Sequence, residues 1–354
     1  IDYRRGEATN LSNLGNIAYY LGDYAAARDY DVQALAIRRA IGDRPSEATT
    51  LINLGQVSLQ IGALARAAGY IEEALPLAHT IGDRRSEGLA LNTLGSIWLA
   101  RASYAQALQH LEQAQQIFQA IGDRRLRANC LVSLGLAWRD LGNDERALAM
   151  FEQALAVQRE IGDESLAAYG YLNLAYARRL SDPATALTEF EQALMLARRT
   201  GNSDAEAFAL SYRAALYEAH GRWHEAAADY QAALPMLEEL QATAAAIECS
   251  AGLGRAALAA GDLAAARGYA ARCMAHLAAE GSDGMEFPIL VYLTCYDILR
   301  TTDETAEAQR LLAAAHELLM TRAAQIDVPQ LRAGLLELVA AHRRVITEYA
   351  ALQP

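Results

Sequence analysis

Two histidines four residues apart, His220 and His224 in HGRWHEA, stand beside Glu225. Imidazoles at that spacing on one helix, with a carboxylate near, are the beginnings of a zinc site. The neighbours argue against it, because Gly221 and Trp223 mark a turn between the two rings and the second His of H-E-x-x-H is missing. GLGRAA at 252–257 has the glycine spacing of a dinucleotide fingerprint, which works only after a strand and with phosphate on the next helix. Gly254 instead keeps register with Gly15, Gly55, Gly95 and Gly135, where a bare backbone lets helices touch. No Ser sits in a G-x-S-x-G elbow, and no carboxylate pair stands apart for acid–base work. The sequence therefore assigns no catalytic residue, no metal ligand and no cofactor, and the chain is not expected to be an enzyme.

Composition narrows the field further. All 31 basic residues are Arg, which removes Schiff-base lysines and the GK[ST] phosphate loop. Against 43 acidic residues they leave a net charge of −12, so no nucleic-acid partner is expected, since phosphate binding needs basic stripes. No apolar run approaches the roughly 18 residues of a membrane span. Cys130, Cys249, Cys273 and Cys295 lack C-x-x-C spacing and read as reduced core thiols, which fits a cytoplasmic location.

What would position any site is a repeat. IGDR begins at Ile41, Ile81 and Ile121, IGDE at Ile161 and TGNS at Thr200, giving spacings of 40, 40, 40 and 39 residues. A fixed period of this size signals stacked supersecondary units. Each unit carries apolar and small residues at three- and four-residue steps in two stretches, as in Leu11, Leu14, Gly15 and Ala18, then Ala27, Tyr30 and Ala34. Gly22, recurring as Gly62, Gly142, Gly221 and Gly261, separates the two predicted helices. IGDR is then the joint between units, with Ile closing one helix against the core and Asp43, Asp83 and Asp123 capping the next. Alanines at 27, 67, 107, 147, 186, 226 and 266 hold one equivalent position and permit close packing. The arginines after the joint, Arg44, Arg84 and Arg124, read as solvated.

The pattern L-x-N-L-G, L-G-D-Y-x-x-A and A-L, in LSNLGNIAYYLGDYAAARDYDVQALAI, resembles the tetratricopeptide repeat in its 40-residue form. It is similar to the repeats of Pins-type adaptors and kinesin light chains, and to the sensor portions of bacterial STAND signalling ATPases and MalT-like regulators. The resemblance implies an all-α, right-handed superhelical solenoid of antiparallel helix pairs. The expected organisation is seven repeats over 1–280, a degenerate eighth over 281–323 and a C-terminal capping helix over 324–354. GSDGMEFP, at 281–288, is the strong internal break and is expected to be a bent or mobile joint. Ile1 to Arg5 aligns with the joint, so a further helix or domain is expected upstream.

In that family the first helix of each pair lines a concave groove. Carried over by position, the groove holds Asn13, Asn16, Tyr19 and Tyr20, then Asn53, Gln56 and Gln60, then Asn92, Asn129 and Arg139. Tyr169, Asn173, Tyr176, Arg179 and Tyr212 complete it, with Arg178 nearby. Asn13, Asn53 and Asn173 match the family's asparagine ladder, whose amides donate and accept at once and so pin a partner's backbone. Thr93, Ser133, Tyr212 and Gly252 interrupt it. Arg139, Arg178 and Arg179 put positive charge mid-groove, which suits an acidic peptide or a carboxylate end. The resemblance implies a protein or peptide partner and a sensor role in a larger bacterial signalling protein. A scaffold that self-associates is the alternative, and a merely solvated polar face stays open beside both.

Overall fold

At four of the joints an aspartate starts one helix, and the glycine before it ends the last. In the computed structural model, which describes residues 2–352 apart from the side chain of Tyr20, Asp43, Asp83, Asp123 and Asp163 each accept the backbone N–H three residues on. Each cap satisfies an amide that a helix start leaves unpaired. Gly42, Gly82, Gly122 and Gly162 take φ values of 71° to 73°, a left-handed conformation open to Gly at little cost.

The described residues form helices and no strand. Helix α1 (Asp2–Tyr20) packs on α2 (Tyr24–Ile41), α3 (Arg44–Gln60) on α4 (Leu64–Thr80), and α5 (Arg84–Ala100) on α6 (Tyr104–Ile121). Next come α7 (Arg124–Asp140) and α8 (Asp144–Ile161). Four further pairs follow: α9 (Glu164–Arg178) with α10 (Pro183–Thr200), α11 (Ser203–Ala219) with α12 (Trp223–Glu239), α13 (Thr243–Ala259) with α14 (Leu263–Glu280), and α15 (Pro288–Thr301) with α16 (Thr305–Ala324). The chain divides into two compact units, Ile1–Ala137 and Trp138–Pro354.

Small residues set the spacing. The seven alanines from Ala27 to Ala266 are fully buried on the second helices. A Cβ on Gly55 would fall 2.4 Å from Ile71 Cδ1, and one on Gly95 2.5 Å from Leu111 Cγ. Asp31 breaks this register: it stands where Ile71, Leu111, Phe151, Phe190 and Tyr230 stand in later repeats. Its buried carboxylate accepts the Ser12 hydroxyl at 3.4 Å and lies against Gly15, and burial raises its pKa to about 6. At the front, Leu14 and Ile17 of α1 are 45% and 56% exposed, whereas their equivalents Leu54 and Val57 are buried.

Two expectations need correction. The joint isoleucines are not core residues: Ile121 and Ile161 are exposed and Ile41 and Ile81 half-buried, at the ends of their helices. The stretch after Pro329 is not one helix but three pieces, α17 (Pro329–Ala333), a π-helical turn at Gly334–Leu338 and α18 (Ala340–Ala350). Helix α18 packs on α15 and α16 and the π-helical turn on α16, and Gly334 also meets the α7–α8 turn so closely that a Cβ there would fall 2.5 Å from the Leu141 carbonyl oxygen.

Candidate functional site

In the first unit, α1, α3 and α5 present polar side chains that their repeat positions keep off the core. Asn13, Asn16 and Gln60 are exposed, and Tyr19, Asn53, Gln56 and Asn92 are half-buried. Successive helices touch through these groups: Asn53 Nδ2 donates to Asn16 Oδ1 at 3.4 Å, and Gln60 Nε2 donates to the Tyr19 hydroxyl at 3.2 Å. An amide side chain both donates and accepts, which is what an incoming backbone would engage. Asn129 on α7 is exposed as well, while the carbonyl oxygen of the Asn92 side chain is buried without a partner. At the interrupted rungs, Thr93 and Ser133 turn their hydroxyls to the carbonyls of Leu89 and Asn129. The side chain of Tyr20 lies outside the described residues.

The second unit treats the same register differently. Asn173 is buried, and its Nδ2 donates to the Tyr169 carbonyl at 2.9 Å. The Tyr169 hydroxyl reaches Asp204, and burial beside that charge pushes its pKa up. Tyr176 and Tyr212 are buried with ring centroids 4.5 Å apart. Gly252, at the next rung, has no side chain and so admits the ring of Tyr230, whose hydroxyl donates to Glu218 at 3.0 Å. Arg255 pairs with the same Glu218 at 2.5 Å. Arg178, expected among these groups, turns away to Glu152 and Glu189 on α8 and α10.

At the centre stands Arg139, its side chain 8% exposed. It pairs with Asp140 at 3.0 Å and with Glu286 at 2.5 Å, and its guanidinium lies 5.5 Å from the Tyr176 ring centroid and 5.4 Å from that of Phe287. Burial works against its charge, but Glu286 and Asp140 outweigh that and raise its pKa. Arg179 covers the other side of Tyr176 at 3.8 Å. The Tyr212 hydroxyl donates to Glu286, and burial next to that carboxylate raises its pKa well above the usual phenol value. Phe287 packs 5.4 Å from Tyr176 and 6.4 Å from Tyr212, and its backbone N–H donates to Glu248 at 2.5 Å. Glu248 is half-buried, and its burial, together with the nearby Glu286, raises its pKa to about 8.

The segment read as a bent or mobile joint is therefore packed. Met285 is buried, and Glu286 and Phe287 meet side chains from α7, α9 and α11. Sequence reasoning missed Glu248, Glu286 and Phe287. The available signal was the acid–aromatic pair Glu286–Phe287 at the end of a glycine-containing loop.

No such charged cluster gathers around the sequence's metal candidates. His220 turns its Nδ1 to the Leu216 carbonyl at 2.8 Å, His224 is exposed, and among the described residues no three His, Cys, Asp or Glu side chains converge as a metal site. The four cysteines are buried and unbridged, and burial pushes the thiols of Cys130 and Cys249 up to about 12. No helix is long and apolar enough to cross a membrane among the described residues.

Comparison with known proteins places this geometry. No curated protein matches the chain in sequence. Among solved structures, a Rap protein complexed with Competence and Sporulation Factor is similar over 98% of this chain and 99% of that one, at 14% identity and a TM-score of 0.62. The apo form of RapI is similar over 76% and 97%, at 13% identity and a TM-score of 0.61. A Signal Transduction ATPase with Numerous Domains that has a tetratricopeptide repeat sensor, from Pyrococcus horikoshii, is similar over 88% of this chain at 14% identity and a TM-score of 0.59. This chain spans 47% of that ATPase's length. Residues 6–78 and 86–160 match the tetratricopeptide repeat family, and with the helix pairs continuing in register beyond them the chain is a tetratricopeptide-repeat array.

Proposed function

We propose that this chain is a protein- or peptide-binding module acting as the sensor portion of a larger bacterial signalling protein, cytoplasmic in location, with an ATPase switch or transcription regulator as its output. One observation carries the reading: the exposed amides of Asn13, Asn16 and Gln60, with half-buried Asn53 and Gln56, form a shared polar face along α1 and α3. Side-chain amides, which donate and accept at once, suit an extended partner held without strict sequence reading. The likeness to a Rap protein complexed with a factor and to an ATPase with a repeat sensor supports the same reading at the level of fold. A partner that prefers one arrangement of the array would shift its population and so bias an attached domain.

A second reading, a self-associating scaffold, draws on Leu14 and Ile17, exposed on α1 where later repeats bury the equivalent residues. One experiment separates the two. Thermal unfolding of the chain is followed with fractionated peptides and metabolites, alongside its mass in solution over a concentration series. Saturable stabilisation that the double variant Asn16→Ala/Asn53→Ala loses supports the sensor. Mass that rises with concentration, without any stabilising fraction, supports the scaffold and contradicts the sensor.

A further inference from the structure

Most joints in this array need two residues, as with Gly42 and Asp43 between α2 and α3. Between α14 and α15 the chain spends seven, Gly281 to Phe287. Gly281 has φ 75° and ψ −150°, a region essentially confined to glycine, and Gly284 has φ 78°. The extra length is used to carry Glu286 and Phe287 onto the inner helices of earlier repeats.

The contacts they make are those by which one chain reads another. The Glu286 carboxylate takes the Arg139 guanidinium at 2.5 Å and the Tyr212 hydroxyl. The next backbone N–H is held by Glu248 at 2.5 Å, and the next side chain, Phe287, packs among Tyr176, Tyr212 and Arg139. An acid, the following amide and the following ring are thus recognised in order, which defines a peptide rather than a small anion. A buried ion pair is a poor way to gain stability alone, since a well-packed apolar pair does as well or better. It is an effective way to specify which segment sits there. Were Glu286 to leave without replacement, Arg139 would keep only Asp140 as a paired carboxylate in a buried site. Exchange for a second carboxylate avoids that state.

We propose that the cleft formed by Arg139, Tyr176, Tyr212 and Glu248 is a recognition site for a peptide bearing an acidic residue followed by an aromatic one, and that Glu286–Phe287 is its built-in, exchangeable occupant. The site is separate from the amide face of the first unit, and neither depends on the other.

The test uses the whole chain and the synthetic peptide SDGMEFPI, with control peptides SDGMQFPI and SDGMEAPI. In wild-type protein, excess SDGMEFPI displaces the internal copy, so hydrogen exchange at the chain's own Phe287 amide speeds up; the controls leave it unchanged. In Glu286→Gln, where the internal carboxylate is gone, the peptide binds at least about tenfold tighter than in wild type, equivalent to about 1.4 kcal/mol. Adding Arg139→Gln to that variant abolishes the gain. If the Phe287 amide exchanges at the same rate with and without saturating SDGMEFPI, and folded Glu286→Gln gains no affinity, the segment is a fixed part of the core and the proposal is overturned. If Glu286→Gln does not fold, the wild-type exchange measurement decides.

Discussion

The first unit leaves its amide ladder exposed or half-buried, while the second sets aromatic rings at equivalent positions and then covers them with its own chain. Asn13 and Asn53 meet water or each other's neighbours; Tyr212 meets Glu286 and Phe287. The repeat fold is common to both, so the difference lies in a few side chains at equivalent positions. An amide at such a rung is content in water because it is polar throughout. A tyrosine there carries a large apolar ring whose burial is favourable and a hydroxyl that then needs a partner. Substituting ring for amide therefore recruits a cover, and here the cover is internal.

The largest expected effect comes from breaking that cover. Glu286→Ala removes one carboxylate from the buried Arg139 and should destabilise the second unit by about 3–5 kcal/mol, the range for breaking a buried pair by deleting one partner. Hydrogen exchange of α9, α11 and α13 should rise, while α1 to α5 hold their rates; equal rises in both units would erase the distinction drawn here. Next in size are the glycines that let elements touch. Gly334→Ala drives a Cβ against the Leu141 carbonyl oxygen, a backbone atom that has little freedom to yield, and should cost about 1–3 kcal/mol. Gly95→Ala should cost a similar or smaller amount in the first unit, because the obstructing Leu111 is a side chain. Urea unfolding of both variants checks the order.

Proton uptake sharpens the contrast on a second axis. Asp31 in the first unit and Glu248 in the second both have pKa values raised by burial, to about 6 and about 8 from ordinary values of 3.8 and 4.5. A carboxyl whose folded pKa lies above its unfolded one takes up a proton on folding at pH between the two values. Its contribution is complete below the unfolded pKa and is lost as pH rises through the folded one. The first unit should therefore lose roughly 1–3 kcal/mol between about pH 4 and pH 6, and the second should lose stability from about pH 4.5 up to pH 8. Asp31→Asn should flatten only the first slope in unit-resolved hydrogen exchange. The smallest effect belongs to the open face. Asn16→Ala should change stability by no more than about 0.5 kcal/mol, as expected for an exposed position.

How legible these differences were in the sequence follows from their range. Joint aspartates, turn glycines and the alanine positions act on residues three or four away, or on the partner helix, and the repeat restates them every forty residues. The helix-pair array was accordingly readable from Ile41, Ile81, Ile121 and Ile161. Arg139 and Glu286 are far apart in sequence and occur once each, so no period announces their pairing. The α17–α18 break likewise sits among distant contacts that occur once, Gly334 with Leu141 and Leu338 with Gly142. The exposed ends of the joint helices escaped notice because Ile looks like core in any window that ignores where the helix ends.

Hydroxyl-radical footprinting of tyrosine side chains tests the central contrast most directly. Tyr176 and Tyr212 should react as slowly as the core residue Tyr230, with Tyr19 faster and the exposed Tyr3 fastest. Reaction of Tyr176 and Tyr212 at the rate of Tyr3 would mean that no internal segment covers them, and the account of a self-filled second unit would fail.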